Sequence, residues 1–281
     1  MFGTSHHLNR IASLVTVGDV SHPVLCSFDA NEAITTVFSW WQDICLDSFS
    51  ADPMDHLALV SKDGRNVGSV GFDSLVNQDK GVLKDVMDPL TVESLVSFET
   101  PLIQAAKLFH ASSPYVYLVL QSNQITGWMS YHDLLSIPFR ACLFAMLLEI
   151  EQAMLEIALT DSKLAASKLS PNRLKSLEGQ IKKRSPKLKH VTNRDVLHRT
   201  LFSDKLSIIR RCSETSSSLP ALRGKLLDEA EDVRNCLAQP SKDFRLLRLL
   251  SKERLQDFLT WLTELETQLR EYLDLRRKLE D

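Results

Sequence analysis

The sequence predicts an α+β first half, made of two βαββα repeats, followed by an all-α helical bundle. Three observations carry this expectation. One order of apolar run, helical stretch and two β-rich runs occurs twice, opening at Ser27-Phe28-Asp29 and again at Ser97-Phe98-Glu99. Pro138 then marks a change to a period of 3.6 residues. The charge is also unevenly divided. Residues 1–137 hold 6 Lys and Arg against 15 Asp and Glu, whereas residues 138–281 hold 27 against 21. The expected domains are therefore 1–137, with repeats at about 11–77 and 82–137, and 138–281.

The elements follow in order. In the first repeat the short run PVLC leads to the helical pattern ANEAITTVFSWW. HLALV and NVGSV then flank a turn at Lys62-Asp63-Gly64, and FDSLV closes as a short helix. In the second, ESLV precedes TPLIQAAKLF. VYLVL and ITGWM flank Gln121-Ser122-Asn123, and YHDLL closes. Apolar, β-branched runs around a short polar turn read as hairpins. The first copy is longer by one loop, DICLDSFSADPMD.

After Pro138, Leu143, Met146, Leu147, Ile150, Met154 and Ile157 form one stripe of a long helix. Its early turns are apolar nearly all round, as in a buried bundle helix or a dimer seam. Residues 163–199 contain the breakers Pro171, Gly179 and Pro186. NRDVLHRTLFSDKLSIIRRC reads as a helix with Val196, Leu197, Leu201, Leu206 and Ile209 apolar. SETSSSLP is a loop, with Ser218 and Pro220 placed as cap and first turn. LRGKLLDEAEDVRNCLA is the next helix, stopped at Gln239-Pro240. The last spans Lys252 to Lys278 on Leu255, Phe258, Leu259, Leu262, Leu265, Leu269 and Leu273.

Composition narrows the class. Apolar residues make up 44% of the chain and charged residues 25%, as in ordinary globular proteins. The longest apolar stretch, Ala141 to Leu148, is too short for a bilayer, and the N-terminus lacks a signal-peptide pattern. Five cysteines lie scattered without a C-x-x-C pair, which fits a reducing cytoplasm and argues against a zinc site. His6 and His7 read as terminus rather than as metal ligands, so no metal is expected. Residues 163–199 carry 11 Lys and Arg against Glu178 and Asp195 alone. Such a run gives phosphate affinity without sequence choice, or is simply a solvated loop. No aromatic interleaves it, so base stacking is not expected.

Gly127-Trp128-Met129-Ser130-Tyr131-His132-Asp133-Leu134 fits the pattern G-h-h-[ST]-x-x-D-L at the end of the second hairpin. On this motif and the repeat, residues 11–137 resemble a tandem pair of CBS domains, a module that senses adenine nucleotides. The resemblance implies that the Ser130 hydroxyl contacts phosphate and that Asp133 accepts hydrogen bonds from ribose hydroxyls, beside Gly127. A helix start suits phosphate, and a carboxylate suits a diol. Equally, Ser130 reads as an N-cap and Asp133 as a first-turn acid. The first repeat departs from the pattern. Gly71 stands for the hydroxyl and Ser74 for the acid, with Asp73 one place early. One nucleotide cleft at most is therefore expected, taking ATP, ADP or AMP.

Val233-Arg234-Asn235-Cys236-Leu237-Ala238-Gln239-Pro240 differs by one residue from R-N-x-x-A-H-P. With the helical order it makes residues 139–281 resemble a HEPN domain, a bundle that in many members is a metal-independent ribonuclease. The resemblance implies a homodimer with Arg234 and the motif's His across the interface, the His acting as base on the RNA 2′-OH. Gln239 stands at that position. A carboxamide holds a hydroxyl but does not take its proton, and general acid–base help is worth about 10²–10⁴ in rate. The degenerate set Arg234, Asn235 and Gln239 is therefore expected to be catalytically impaired, with Arg234 still able to hold phosphate. His198 is a substitute base to test. Structurally, Arg234 reads as a helix C-terminal cation paired back to Glu231.

Together these readings give a cytoplasmic regulatory homodimer. Its first half senses an adenine nucleotide, and its helical half engages RNA or a protein partner, with no membrane contact. An active ribonuclease and a scaffold that binds neither nucleotide nor RNA are the alternatives.

Overall fold

The computed structural model describes residues 14–24, 26–47, 57–76, 78, 80–110, 116–212, 219–222, 226–239 and 252–280. The chain divides into two compact units. One comprises Val15–Ala105 and Ser112–Pro138; the other is built mainly on Phe139–Asp281 with Ala106–Ala111.

The first unit is α+β with two four-stranded sheets. Its strands are β1 (His22–Pro23), β2 (Ser27–Asp29), β3 (Leu57–Lys62), β4 (Arg65–Gly71), β5 (Asp88–Pro89), β6 (Leu95–Ser97), β7 (Val116–Gln121) and β8 (Gln124–Ser130). Helices α1 (Ile34–Asp47), α2 (Phe72–Val76) and α3 (Leu102–Ala106) lie between them. One sheet has the order β2-β3-β4-β5, the other β1-β8-β7-β6. Each contains a parallel pair and a hairpin. Each is completed by a two-residue strand from ahead of the other repeat: β5 on β4, and β1 on β8.

The two halves match bond for bond. Val17 N–H donates to Thr100 O at 2.9 Å, as Leu83 N–H does to Glu32 O at 3.1 Å. Leu102 N–H reaches Val15 O at 2.9 Å, as Ile34 N–H reaches Gly81 O at 3.2 Å. Both hairpins close through two residues with positive φ, Asp63-Gly64 (52° and 75°) and Ser122-Asn123 (48° and 64°). That left-handed pair matches the twist of the strands it joins.

Strand β3 is buried on both faces at its start. Ala58 and Val60 join Ile34, Val37, Trp41, Val70 and Leu75 in the α1 core. Leu57 and Leu59 meet Leu118 and Trp128 of the other sheet. Burial on two faces explains why HLALV and VYLVL are near-continuous apolar runs rather than alternating ones. Two expected helices differ in the structure. TPLIQAAKLF forms only the short α3, with Phe109 buried beyond its end. YHDLL is a 3-10 turn, Tyr131–Leu135.

The second unit is helical: α4 (Ile137–Thr160), α5 (Ser162–Ser167), α6 (Pro171–Arg184), α7 (Asn193–Leu197), α8 (Phe202–Arg211), α9 (Leu226–Leu237) and α10 (Lys252–Glu280). The stripe from Leu143 to Ile157 on α4 is buried, as is that from Leu255 to Leu273 on α10. Pro171 opens α6 behind the Ser170 cap, where its missing N–H costs nothing. Gly179 lies inside α6, so it breaks nothing. The continuous helix expected over 193–212 is instead two. The Asp204 carboxylate accepts the Leu201 N–H at 2.9 Å and restarts the helix there. The phase slips at that break, so Leu201 is exposed while Phe202 is buried. Ser218 and Pro240 lie outside the described residues. No helix among the described residues is long and apolar enough to cross a membrane.

Candidate functional sites

The sequence motif of the second repeat sits where β8 passes into its 3-10 turn. Ser130 caps that turn: its Oγ accepts the His132 N–H at 3.2 Å. Asp133 Oδ2 reaches back to the Ser130 N–H at 2.6 Å and to the Ser130 hydroxyl at 3.1 Å. This is a capping box, each residue satisfying the other's free donor. The other oxygen, Oδ1, lies 2.7 Å from His22 Nε2. The His22 ring in turn stacks on Trp128, with centroids 4.6 Å apart. A carboxylate thus stands beside an imidazole stacked on an indole, at the mouth of the exchanged strand β1. The motif brings Ser130 and Asp133 together, and the exchange brings in His22.

Gly127 has a different task. A Cβ there would stand 2.6 Å from the His22 carbonyl. Strand β1 packs against this bare backbone, with Pro23 opposite Gly127. Gly68 does the same for β5, 2.5 Å from the Asp88 carbonyl and opposite Pro89. In the first repeat Gly71 and Ser74 occupy the places of Ser130 and Asp133, so at the end of that hairpin the pair is not made.

The helical unit holds a cleft of about 700 Å³, walled by α4, α9 and α10 with His198 and Lys205 from the α7–α8 region. Glu151 is its hub. Glu151 Oε1 accepts from Lys205 Nζ at 2.9 Å, and Oε2 lies 3.5 Å from Arg234 Nη2. Lys205 is buried and also donates to the Thr200 carbonyl at 2.6 Å. Arg234 therefore pairs across to α4 rather than back to Glu231 on its own helix. Its Nε is buried with no hydrogen-bond partner among the described residues, while its Nη1 is 3.5 Å from Asn235 Oδ1. At the far end Arg270 Nη2 bridges Glu149 at 3.0 Å and Glu266 at 2.8 Å.

Both Arg234 and His198 line the cleft. Asn235 is half-buried beside Arg234, whereas Gln239 is exposed past the end of α9. Sequence reasoning missed His22, Glu151 and Lys205. The signal for Glu151 was present, a glutamate three places past the apolar stretch Ala141 to Leu148 and still on α4. His22 had one too: it stands one place before a proline, as Asp88 does in the matching strand.

Thiol chemistry is disfavoured at two positions. Burial pushes the Cys26 thiol up to about 12, and it raises that of Cys212 as well. Among the described residues no three His, Cys, Asp or Glu side chains cluster as metal ligands do.

No family model matches the chain, and no curated protein does. Among solved structures, the chain is similar to the cytosolic domain of the Mg2+ channel MgtE in complex with ATP. That similarity has 18% identity and a TM-score of 0.35, and covers 43% of this chain and 47% of that one. The match thus spans about half of that neighbour's length.

Proposed function

We propose that the chain is a regulatory protein in which residues 1–137 act as a tandem CBS pair sensing an adenine nucleotide, and residues 138–281 as a HEPN-like homodimeric bundle that engages RNA or a protein partner. The observation that carries the sensing role is the duplicated fold with exchanged strands, in which Ser130 and Asp133 pair at the end of the second hairpin while Gly71 and Ser74 stand at those places in the first. Asp133 is largely buried and is held in place by its own cap. To bind a ribose diol it exchanges the His22 contact for the ligand. His22 thus competes with nucleotide, and its departure would uncover the indole face of Trp128 for a base.

A thermal titration with AMP, ADP and ATP tests this. A ligand at 100 times its Kd adds about 2.7 kcal/mol. The wild type is expected to melt higher with one of the three. Asp133→Ala abolishes the response and His22→Ala strengthens it. A chain whose melting no nucleotide moves would sink the sensing role.

A second reading, a metal-independent ribonuclease, is favoured by the convergence of Arg234 and His198 on one cleft. RNA cleavage in EDTA separates the two. The expected result is an inert wild type and weak cutting by Gln239→His. Cutting by the wild type that Arg234→Ala abolishes would instead make this an enzyme, with His198 the first base to replace.

A further inference from the structure

Between Asp161 and Cys212, where α5 to α8 pack on the C-terminal end of α4, the chain carries fourteen Lys and Arg against four carboxylates. The positive charge of the helical half is concentrated in this lobe. The lobe is ordered by its own apolar core of Leu169, Leu177, Ile181, Val196, Leu197 and Ile208.

Its carboxylates are largely spent internally. Asp161 caps α5 through the Leu164 N–H at 2.9 Å. Asp195 caps α7 and has its pKa lowered by bonds from Thr192. Asp204 caps α8 and takes a two-pronged contact from Arg173, at 3.0 and 2.6 Å. The cations are mostly not: Lys175, Lys182, Lys183, Arg184, Lys187 and Lys189 are all exposed.

We propose that this lobe docks the phosphate backbone of a nucleic-acid duplex. The proposal rests on the RNA arm of the reading above and names both the surface and the form of the partner. Helix α6, with 14 residues, is about 21 Å long, a span facing about a dozen duplex charges at about 1.7 Å each. A single strand would need aromatic platforms for its bases. The one Phe, Tyr or Trp in the lobe is Phe202, which is buried. The same lack of exposed aromatics on the cationic face argues against a membrane surface. Backbone recognition of a duplex needs neither.

The test is fluorescence anisotropy on the full chain, with a 20-base-pair RNA duplex, the matching DNA duplex, a single strand of the same length, and anionic lipid vesicles. The variants are Lys182→Gln/Lys183→Gln/Lys187→Gln/Lys189→Gln, a control of Arg254→Gln/Lys278→Gln, and Arg234→Ala in the cleft. The replaced lysines are exposed, and circular dichroism checks that the variant folds.

The expected result is duplex binding that falls about a hundredfold between 50 and 200 mM salt. The four-lysine variant weakens it at least tenfold and the control pair does not. RNA duplex favoured over DNA supports the proposal and identifies RNA as the source, and equal binding supports it as recognition of the backbone alone. A single strand bound as tightly as duplex, vesicles bound in place of duplex, or a four-lysine variant that binds like the wild type overturns it. If Arg234→Ala alone abolishes binding, the RNA-binding reading stands and the lobe falls. If no nucleic acid binds, both fall.

Discussion

Glu151→Ala is expected to destabilise the helical unit by about 3–5 kcal/mol, the range for removing one partner of a buried charge cluster. For a domain of this size, about 2–4 °C is lost per kcal/mol, so its melting transition falls by about 6–20 °C. The reason is what the substitution leaves behind. Lys205 is buried, and its ammonium has the Glu151 carboxylate and one carbonyl as partners at 2.9 and 2.6 Å. Without Glu151, the Lys205 ammonium and the Arg234 guanidinium both lose the carboxylate they share. Replacing Glu151→Met together with Lys205→Met is expected to recover part of the loss, since the buried ammonium is then gone and only the part-exposed Arg234 lacks its anion. The control is Glu156→Ala on the same helix. Its partner Arg277 is largely exposed and 3.4 Å away, so the cost is under about 1 kcal/mol. Equal melting shifts for the two alanine variants would refute the hub role of Glu151.

The repeat was legible in the sequence because its signals are local. The turn residues, the apolar runs and the closing stretches recur in one order, and the strands form at those positions. Which sheet each strand joins was not legible. β1 and β5 are two residues long and cross to the other repeat's sheet, a pairing that no local pattern encodes. His22 was therefore invisible as a neighbour of Asp133, although Asp133 itself stood out. The helical half shows the same division. Periodicity marked the buried faces of α4 and α10, since a long stripe averages over errors. The break between α7 and α8 depends on a single carboxylate capping Leu201, and propensity alone ran through it. Arg234 was visible as a motif residue. Its partner lies on α4, more than eighty positions earlier in the chain, and only the fold pairs them.

Gly127→Ala and Gly68→Ala are each expected to cost about 1–3 kcal/mol, by forcing an added atom into backbone already in contact. Neither glycine has a positive φ, so the requirement is space and not conformation. The added Cβ would meet the His22 carbonyl at 2.6 Å in one case and the Asp88 carbonyl at 2.5 Å in the other. A side chain can rotate away from such a clash, but a carbonyl in a strand moves only with its strand. Gly179→Ala is the contrasting control. Nothing lies within 4 Å of its new methyl, and the helix gains about 0.5–1 kcal/mol from lost backbone entropy in the unfolded chain. The two strand glycines then part company at the site. Displacing β1 carries His22 away from Asp133, so Gly127→Ala is expected to break the 2.7 Å contact as well as weaken the sheet. Displacing β5 leaves that contact alone. The histidine ring signals in an NMR spectrum follow this directly: those of His22 shift in Gly127→Ala and hold in Gly68→Ala. Equal loss of stability with opposite effects on His22 would establish the glycine of the G-h-h-[ST]-x-x-D-L pattern as the seat of the exchanged strand, acting on the carboxylate only through the histidine that strand delivers. An unmoved His22 in Gly127→Ala would place the cost of the clash elsewhere and remove the strand exchange from any account of how Asp133 is controlled.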